Sequence, residues 1–252
     1  VQNGPVREAG DGWVLVVPLK PLRLAKSRLA AAAGDELRPA LALAFALDTV
    51  AAALRCPAVA GVLVVTEDPA AGERLRGLGG PPGGTGVPEG RVAVLPDGPG
   101  RGLNAAVTHG VRAVRAGAGP SGARGGRAPV AALNADLPAL RPEELARVLG
   151  AAAGHARSFL ADAAGSGTTL LAVAPGTEPA PAFGPHSRAR HLASGAVELA
   201  PPGVAGARQD VDTGDDLRAA LALGAGPHTT AAVCGHGGEA FGAFRRCGAS
   251  RG

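Results

Sequence analysis

The sequence predicts an α/β fold, a mostly parallel sheet covered by helices on both faces. Short apolar runs of strand length, at residues 14–17, 62–65, 91–95, 130–133, 158–160 and 170–173, alternate with helix-length segments of roughly 3.6-residue period. The first run, Val14-Leu15-Val16-Val17, is apolar at every position, as in a strand buried on both faces. Polar and charged residues gather just after several of these runs, at the edge where ligands of such sheets bind.

The elements follow in order. Residues 1–12 are polar and glycine-rich and are expected to be a flexible N-terminus. Pro18 takes the chain out of the first strand, and Pro21 delays the next helix. Residues 30–33 continue into a short helix that Gly34 stops. The longest helical pattern, residues 37–54, carries Leu41, Phe45, Val50 and Leu54 on one stripe, with Pro39 near its start. A short helix at 70–78 follows the second strand, and residues 79–90 are a Gly/Pro-rich loop. After the third strand, Gly102 precedes a helix over 103–116, and 117–127 is a second flexible connection. Pro142, with Glu143 and Glu144 beside it, opens a helix to about residue 149. The stretch 183–212 is less regular, with a helix at 187–193 and strand-like runs at 197–199 and near Val211. A final helix spans 214–223, with Asp212 or Thr213 as its cap, and 224–252 is expected to be a disordered tail. The ordered domain is thus residues 13–223.

Composition narrows the function. The 252 residues include 40 glycines and 22 prolines, so an isolated glycine carries little information. Aromatics are 2%, leaving Leu, Val and Ala to fill the core. A net charge of +4 suits anionic small molecules, whereas no basic run with interleaved aromatics points to nucleic acid. Cys56, Cys234 and Cys247 have neither metal-site spacing nor the look of a disulfide framework. With no signal segment and no run judged to approach transmembrane length, the expected partner list holds no membrane and the expected location is the cytoplasm. The oligomeric state is not legible.

The loop after the first strand holds Lys20, Arg23, Lys26 and Arg28, and Lys20 and Lys26 are the two lysines in a chain otherwise using arginine. A lysine is a compact, mobile charge suited to following phosphates through a reaction. Asp136, in NADLPAL after the fourth strand, is placed for a hard cation such as Mg²⁺ or for capping the next helix. Asp210 and Asp212, in QDVDTGDDL, are the candidates to complete that cation site; alternation in an extended run would point them to opposite faces, with Asp210 slightly favoured. The loop 165–169 offers backbone N–H groups and hydroxyls to an anion, and Ser187 and Arg188 follow Gly184 at the start of a helix. His191 reads as structural. No dinucleotide fingerprint opening a helix after a strand, no GKS or GKT Walker loop and no nucleophile elbow is readable.

Taken in order, PLKPLRLAKSRL, GLNAA, NADLPAL, DAAGSGTTLL, FGPHSRARHLASG and QDVDTGDDL resemble the 2-phospho-L-lactate or phosphoenolpyruvate guanylyltransferases that make the deazaflavin coenzyme F420. The resemblance spans about residues 13–223. It implies a single-domain nucleotidyltransferase fold of the nucleotide-diphospho-sugar transferase, Rossmann-like kind, GTP as substrate, Mg²⁺, and GMP transfer to a small phosphorylated three-carbon acid. Phosphoenolpyruvate is the expected acceptor because the Arg/Gly/Ala/Pro bias points to a GC-rich bacterium, with 2-phospho-L-lactate as the alternative. Other readings are a molybdenum-cofactor or sugar-phosphate nucleotidyltransferase and a non-catalytic nucleotide-binding protein. By the same resemblance Lys20, Lys26 and Arg28 are the catalytic, triphosphate-contacting residues, and Asn104 lines the nucleotide side. Asp136 with Asp210 or Asp212 binds metal, and Thr169, Gly184 and Ser187 hold the phosphoacid, with Arg188 beside them. Ser166 and Gly214 depart from the pattern, which more often has Thr and Pro there.

Overall fold

A computed structural model describes residues 12–79, 90–120 and 127–235. Most of the expected N-terminal segment, most of the two Gly-rich connections and residues 236–252 of the expected tail lie outside the described residues.

Seven strands form one sheet in the order β3-β2-β1-β4-β6-β5-β7. They are β1 (Trp13–Pro18), β2 (Val59–Val65), β3 (Val92–Leu95), β4 (Val130–Leu133), β5 (Arg157–Ala161), β6 (Thr168–Val173) and β7 (Val197–Leu199). β1 pairs in parallel with β2 and β4, β2 with β3, and β5 with β7. β6 is antiparallel to both β4 and β5, so it alone runs against the rest. The cause is local: only residues 162–167 separate β5 from β6, too few for the crossover a parallel pair needs, so the two close as a hairpin. No strand forms near Val211, where one was expected; a short helix, α6 (Ala205–Arg208), precedes that segment instead.

Side chains of β1 alternate between two cores. Leu15 and Val17 join Leu47, Val50, Leu145 and Leu149 on one face, while Val14 and Val16 join Val107, Val111, Phe159 and Phe183 on the other. The first face is covered by α1 (Ala30–Arg55) and α4 (Pro142–Ala152), the second by α3 (Leu103–Arg115). Both faces of β1 are therefore dry, which is why its sequence shows no polar alternation. Gly110 lets α3 sit directly on β1, since a Cβ there would meet Val16 at 2.5 Å.

α1 is two helical pieces joined across Gly34, whose φ of +74° is open to glycine but uncommon for other residues. Its part Glu36–Arg55 is, by length and composition, apolar enough to cross a membrane, contrary to the sequence expectation, and 72% of it is buried in this fold. That burial accounts for its hydropathy: it is the helix lying across one face of the sheet.

Two further expectations are corrected. Residues 227–235 of the expected tail form a helix, α8 (Pro227–Gly235), which packs Thr229 and Val233 inward. Asp48 of α1 accepts the backbone N–H groups of His228 and Thr229 at its first turn, and Val233 joins Phe45 and Leu41 of α1 in a third apolar cluster. Cys234, in the same helix, is disulfide-bonded.

Candidate active site

The loop leaving β1 is held by its neighbours. Asp68, which caps α2 (Pro69–Arg76) through Ala71 N–H, also accepts Leu22 N–H at 3.0 Å, and Arg38 of α1 donates to the carbonyls of Arg23 and Ala25. The backbone turns at Lys26 with a left-handed φ of 57°, unusual for a residue with a side chain. The turn sends the ammonium inward: Lys26 Nζ donates to Asp136 and, at 2.8 Å, to Asp212 Oδ1. Burial alone would lower the Lys26 ammonium, but Asp136 and Asp212 together raise it above an ordinary lysine. Lys20 and Arg28 stay exposed on the same loop.

Asp136 follows β4 and does not cap α4, whose first turn opens at Arg141 and Pro142 without a side-chain cap. Its carbonyl accepts Val211 N–H at 3.1 Å, which fastens the 135–138 loop to the segment carrying Asp210 and Asp212. That segment bends at Asp212 instead of running extended. Both aspartates therefore lie near Lys26 and Asp136 and not on opposite faces. Thr213 then caps α7 (Gly214–Leu223) in a reciprocal box with Asp216. Burial first, then Asp136, Asp212 and Asp162, push the Asp210 carboxyl up to about 7 against the pull of Lys26. Burial would raise the Asp212 carboxyl as well, but Lys26, with Arg28 and Lys20 behind it, holds it below the usual range.

The β5–β6 hairpin forms the opposite wall. Asp162 accepts Ser166 N–H at 2.9 Å and Gly167 N–H at 2.8 Å. Gly167 has to be glycine in this geometry, since a Cβ would stand 2.3 Å from the Asp162 carboxylate. Thr169 is the extra residue of a bulge between the Leu160–Leu170 and Ala161–Thr168 pairs, and its hydroxyl donates to Ala207 O at 2.8 Å. Such bulges re-aim backbone beside binding sites.

Gly184 and Ser187 lie at the mouth of α5 (Ser187–Ala193), with Gly184 at a φ of +115° and Ser187 buried. The Asn104 carboxamide donates to the Phe183 carbonyl and accepts its N–H, so Asn104 holds this segment. Arg188 is committed to Glu198 of β7, through a pair at 2.9 Å, and so differs from the expected anion contact. His191 is structural: Ala182 N–H donates to Nε2, leaving Nδ1–H to donate to Thr168 Oγ1 at 2.9 Å. Burial, then Arg190 and Arg157, lower its pKa to about 4, so the ring is neutral near pH 7.

Among the described residues no group of three or more His, Cys, Asp or Glu is arranged as a ready ligand set. The donor chemistry nevertheless fits a hard cation. Asp136 Oδ1 is buried without a hydrogen-bond partner, and burial, with three other carboxylates nearby, raises the Asp210 carboxyl, a charge cluster that a cation would relieve. Sequence reasoning singled out neither Asp162 as part of this charge cluster nor Thr49 of α1, which binds the loop on both sides of Asp136. A cavity of about 250 Å³ lined by Asp48, Arg55, Pro138, Arg141, Glu143 and Pro227 contains none of these site residues.

The chain is 62% identical over 219 residues to the phosphoenolpyruvate guanylyltransferase of Streptomyces coelicolor, covering 87% of this chain and 94% of that one. It is 61% identical over 221 residues to that of Streptomyces avermitilis (88% and 94% covered) and 44% identical over 237 residues to that of Frankia casuarinae (89% and 77% covered). No family model matches. Among solved structures, a nucleotide-diphospho-sugar transferase structure from Desulfovibrio desulfuricans G20 superposes with a TM-score of 0.55 at 15% identity, over 81% of this chain and 84% of that one. That likeness bears on the fold alone.

Proposed function

The chain belongs to the phosphoenolpyruvate guanylyltransferase family, and from that premise we propose that it transfers GMP from GTP to phosphoenolpyruvate. The products are enolpyruvyl-diphospho-guanosine and pyrophosphate, as a cytoplasmic step of coenzyme F420 biosynthesis. A phosphate oxygen of phosphoenolpyruvate forms a bond to the α-phosphorus of GTP. The bond from that phosphorus to the oxygen bridging the β-phosphorus breaks, and pyrophosphate leaves in line. The attacking oxygen is already anionic, so no proton is removed and no general base is needed. The work left to the protein is positioning and charge neutralisation. A neutral, fully bonded His191 is consistent with that chemistry.

The observation that carries this reading is the Lys26 ammonium held between Asp136 and Asp212, on a loop that also carries exposed Lys20 and Arg28. In this reading Lys20, Lys26 and Arg28 gather the triphosphate, and Asp136 with Asp210 and Asp212 holds Mg²⁺. When bound, the cation supplies charge neutralisation on the phosphates and the departing pyrophosphate. Lys26, on the same loop as Lys20 and Arg28, would pair with the triphosphate. Thr169, Gly184 and Ser187 hold the phosphoacid. Arg188 would have to exchange Glu198 for the substrate carboxylate to join them.

The test is pyrophosphate release with GTP, ATP and CTP crossed against phosphoenolpyruvate, 2-phospho-L-lactate, 2- and 3-phosphoglycerate and glucose 1-phosphate. GTP with phosphoenolpyruvate should give the highest kcat/KM. A higher value with phospholactate would reassign the acceptor, and no release with any phosphoacid would overturn the reading.

A further inference from the structure

Thr49 lies in α1, fully buried, in a helix sequence otherwise rich in Ala and Leu. A hydroxyl at such a position sacrifices apolar packing unless it answers a polar group. Thr49 answers two and lies beside a third. Its Oγ1 donates to Phe45 O one helical turn back at 2.8 Å and lies 3.3 Å from Ala135 O, while it accepts Leu137 N–H at 3.0 Å. Ala135 and Leu137 are the residues on either side of Asp136. The Asp136 carbonyl in turn accepts Val211 N–H, between Asp210 and Asp212. One buried hydroxyl thus anchors the loop of the central carboxylate to the helix, and that loop anchors the second acidic segment.

We propose that Thr49 is a positioning residue that fixes the Asp136 carboxylate for its cation, a role that rests on the metal-assisted reading above. The bonding pattern argues for position over mere stability. Both loop contacts fall on the backbone flanking Asp136, and Leu137 N–H has Thr49 Oγ1 as its acceptor. Without the hydroxyl, Leu137 N–H would have to find another acceptor and Ala135 O would lose its near contact. The cheapest way is for the loop to shift toward water, carrying Asp136 with it. Groups that orient a metal ligand from behind typically change affinity as well as structure.

The experiment compares Thr49→Val, Thr49→Ser and Thr49→Ala with the natural chain, reading Mn²⁺ affinity by electron paramagnetic resonance with and without GTP, alongside thermal melting. Thr49→Val should weaken Mn²⁺ binding about 10–100-fold, with Thr49→Ser near the natural value. Should Thr49→Val fail to fold, the Ser and Ala variants differ by the hydroxyl alone and carry the same comparison. Thr49→Ala should then bind Mn²⁺ more weakly than Thr49→Ser. A lower melting temperature with Mn²⁺ affinity unchanged in the Val or Ala variant would overturn the proposal and leave Thr49 a stability residue. Mn²⁺ binding that Asp136→Asn does not weaken would overturn it as well. Pyrophosphate release is measured separately: its absence in the natural chain would reject the transferase reading, while the Mn²⁺ comparison still decides the role of Thr49.

Discussion

Replacing Lys26 by Met keeps a long stem and removes the charge. In the metal-free protein this leaves Asp136 and Asp212 facing each other, with Asp210 nearby and no cation between them. Breaking a buried pair by deleting one partner costs about 3–5 kcal/mol. The Lys26 and Asp136 side chains are 11% and 19% exposed, which puts that pair in the buried class, whereas Asp212 is 52% exposed and its pair is largely screened. Relief of Lys26 from its own burial works in the opposite direction, so the lower end, about 3 kcal/mol, is the expected loss. For a chain of this size that corresponds to a fall in Tm of about 6–12 °C. The assay is urea denaturation and thermal melting in EDTA, repeated in excess Mg²⁺, where the deficit should shrink. A Lys26→Met protein as stable as its parent in EDTA would refute the reasoning, because the ammonium would then not be neutralising the carboxylates. A deficit that Mg²⁺ leaves unchanged would separate the Lys26 pair from the proposed cation site.

Other outcomes follow from the same geometry. Asp136→Asn should lower GTP-dependent pyrophosphate release by about 100-fold or more, with circular dichroism unchanged; activity within a few-fold of the parent would remove Asp136 from the site. Asp210 keeps its proton to about pH 7 in the fold, against 3.8 for an ordinary aspartate, so it favours the fold when protonated. Its contribution to metal-free stability therefore falls as pH rises from about 4 to about 7, and Asp210→Asn should be the more stable protein near pH 8; an identical pH profile for the two would refute this. His191 has the opposite sign: with its pKa lowered to about 4 from 6.5, it contributes stability above pH 6.5 that is lost as pH falls through about 4. Urea midpoints of the parent and His191→Asn across that range should converge toward the acid end, and a constant difference would refute the buried neutral ring. The pH–rate profile of the parent should show no inflection from His191.

What the sequence discloses and what it hides divide along physical lines. The β1 run, the loop bearing Lys20 and Lys26, and Asp136 after β4 are legible because an apolar strand and the polar residues ending it are adjacent in the chain. The reversed β6 is not, since the same LLAV pattern suits either direction and the choice is made by the short 162–167 connection and by distant pairing. α6 is four residues held by Glu144, which accepts Gly206 and Ala207 N–H groups from 62 and 63 residues away. α8 lacks a helical apolar stripe, and Asp48, far back in α1, supplies its cap. Asn104 stands out in the sequence as a candidate for the nucleotide side, but its bonds to Phe183 depend on a contact 79 residues away. Thr49 reads locally as one more helix residue, because the loop it holds is 86 to 88 residues distant.

The place of β6 has a consequence for the order in which a growing chain can assemble. β1 to β4 emerge first and pair with one another, but β5 emerges next with no neighbour to receive it, because the strand that lies between it and β4 is the later β6. Until residue 173 has been made, β4 is an open edge of bare N–H and C=O groups and β5 a loose apolar strand. β7 then docks on β5, and the segment bearing Asp210 and Asp212 follows. Asp210 and Asp212 are therefore among the last site groups to reach their places, well after Asp136. A chain truncated at residue 165 should be digested rapidly by protease across 142–165, and one truncated at residue 200 should resist there; equal protection in both would show that β5 finds shelter without β6.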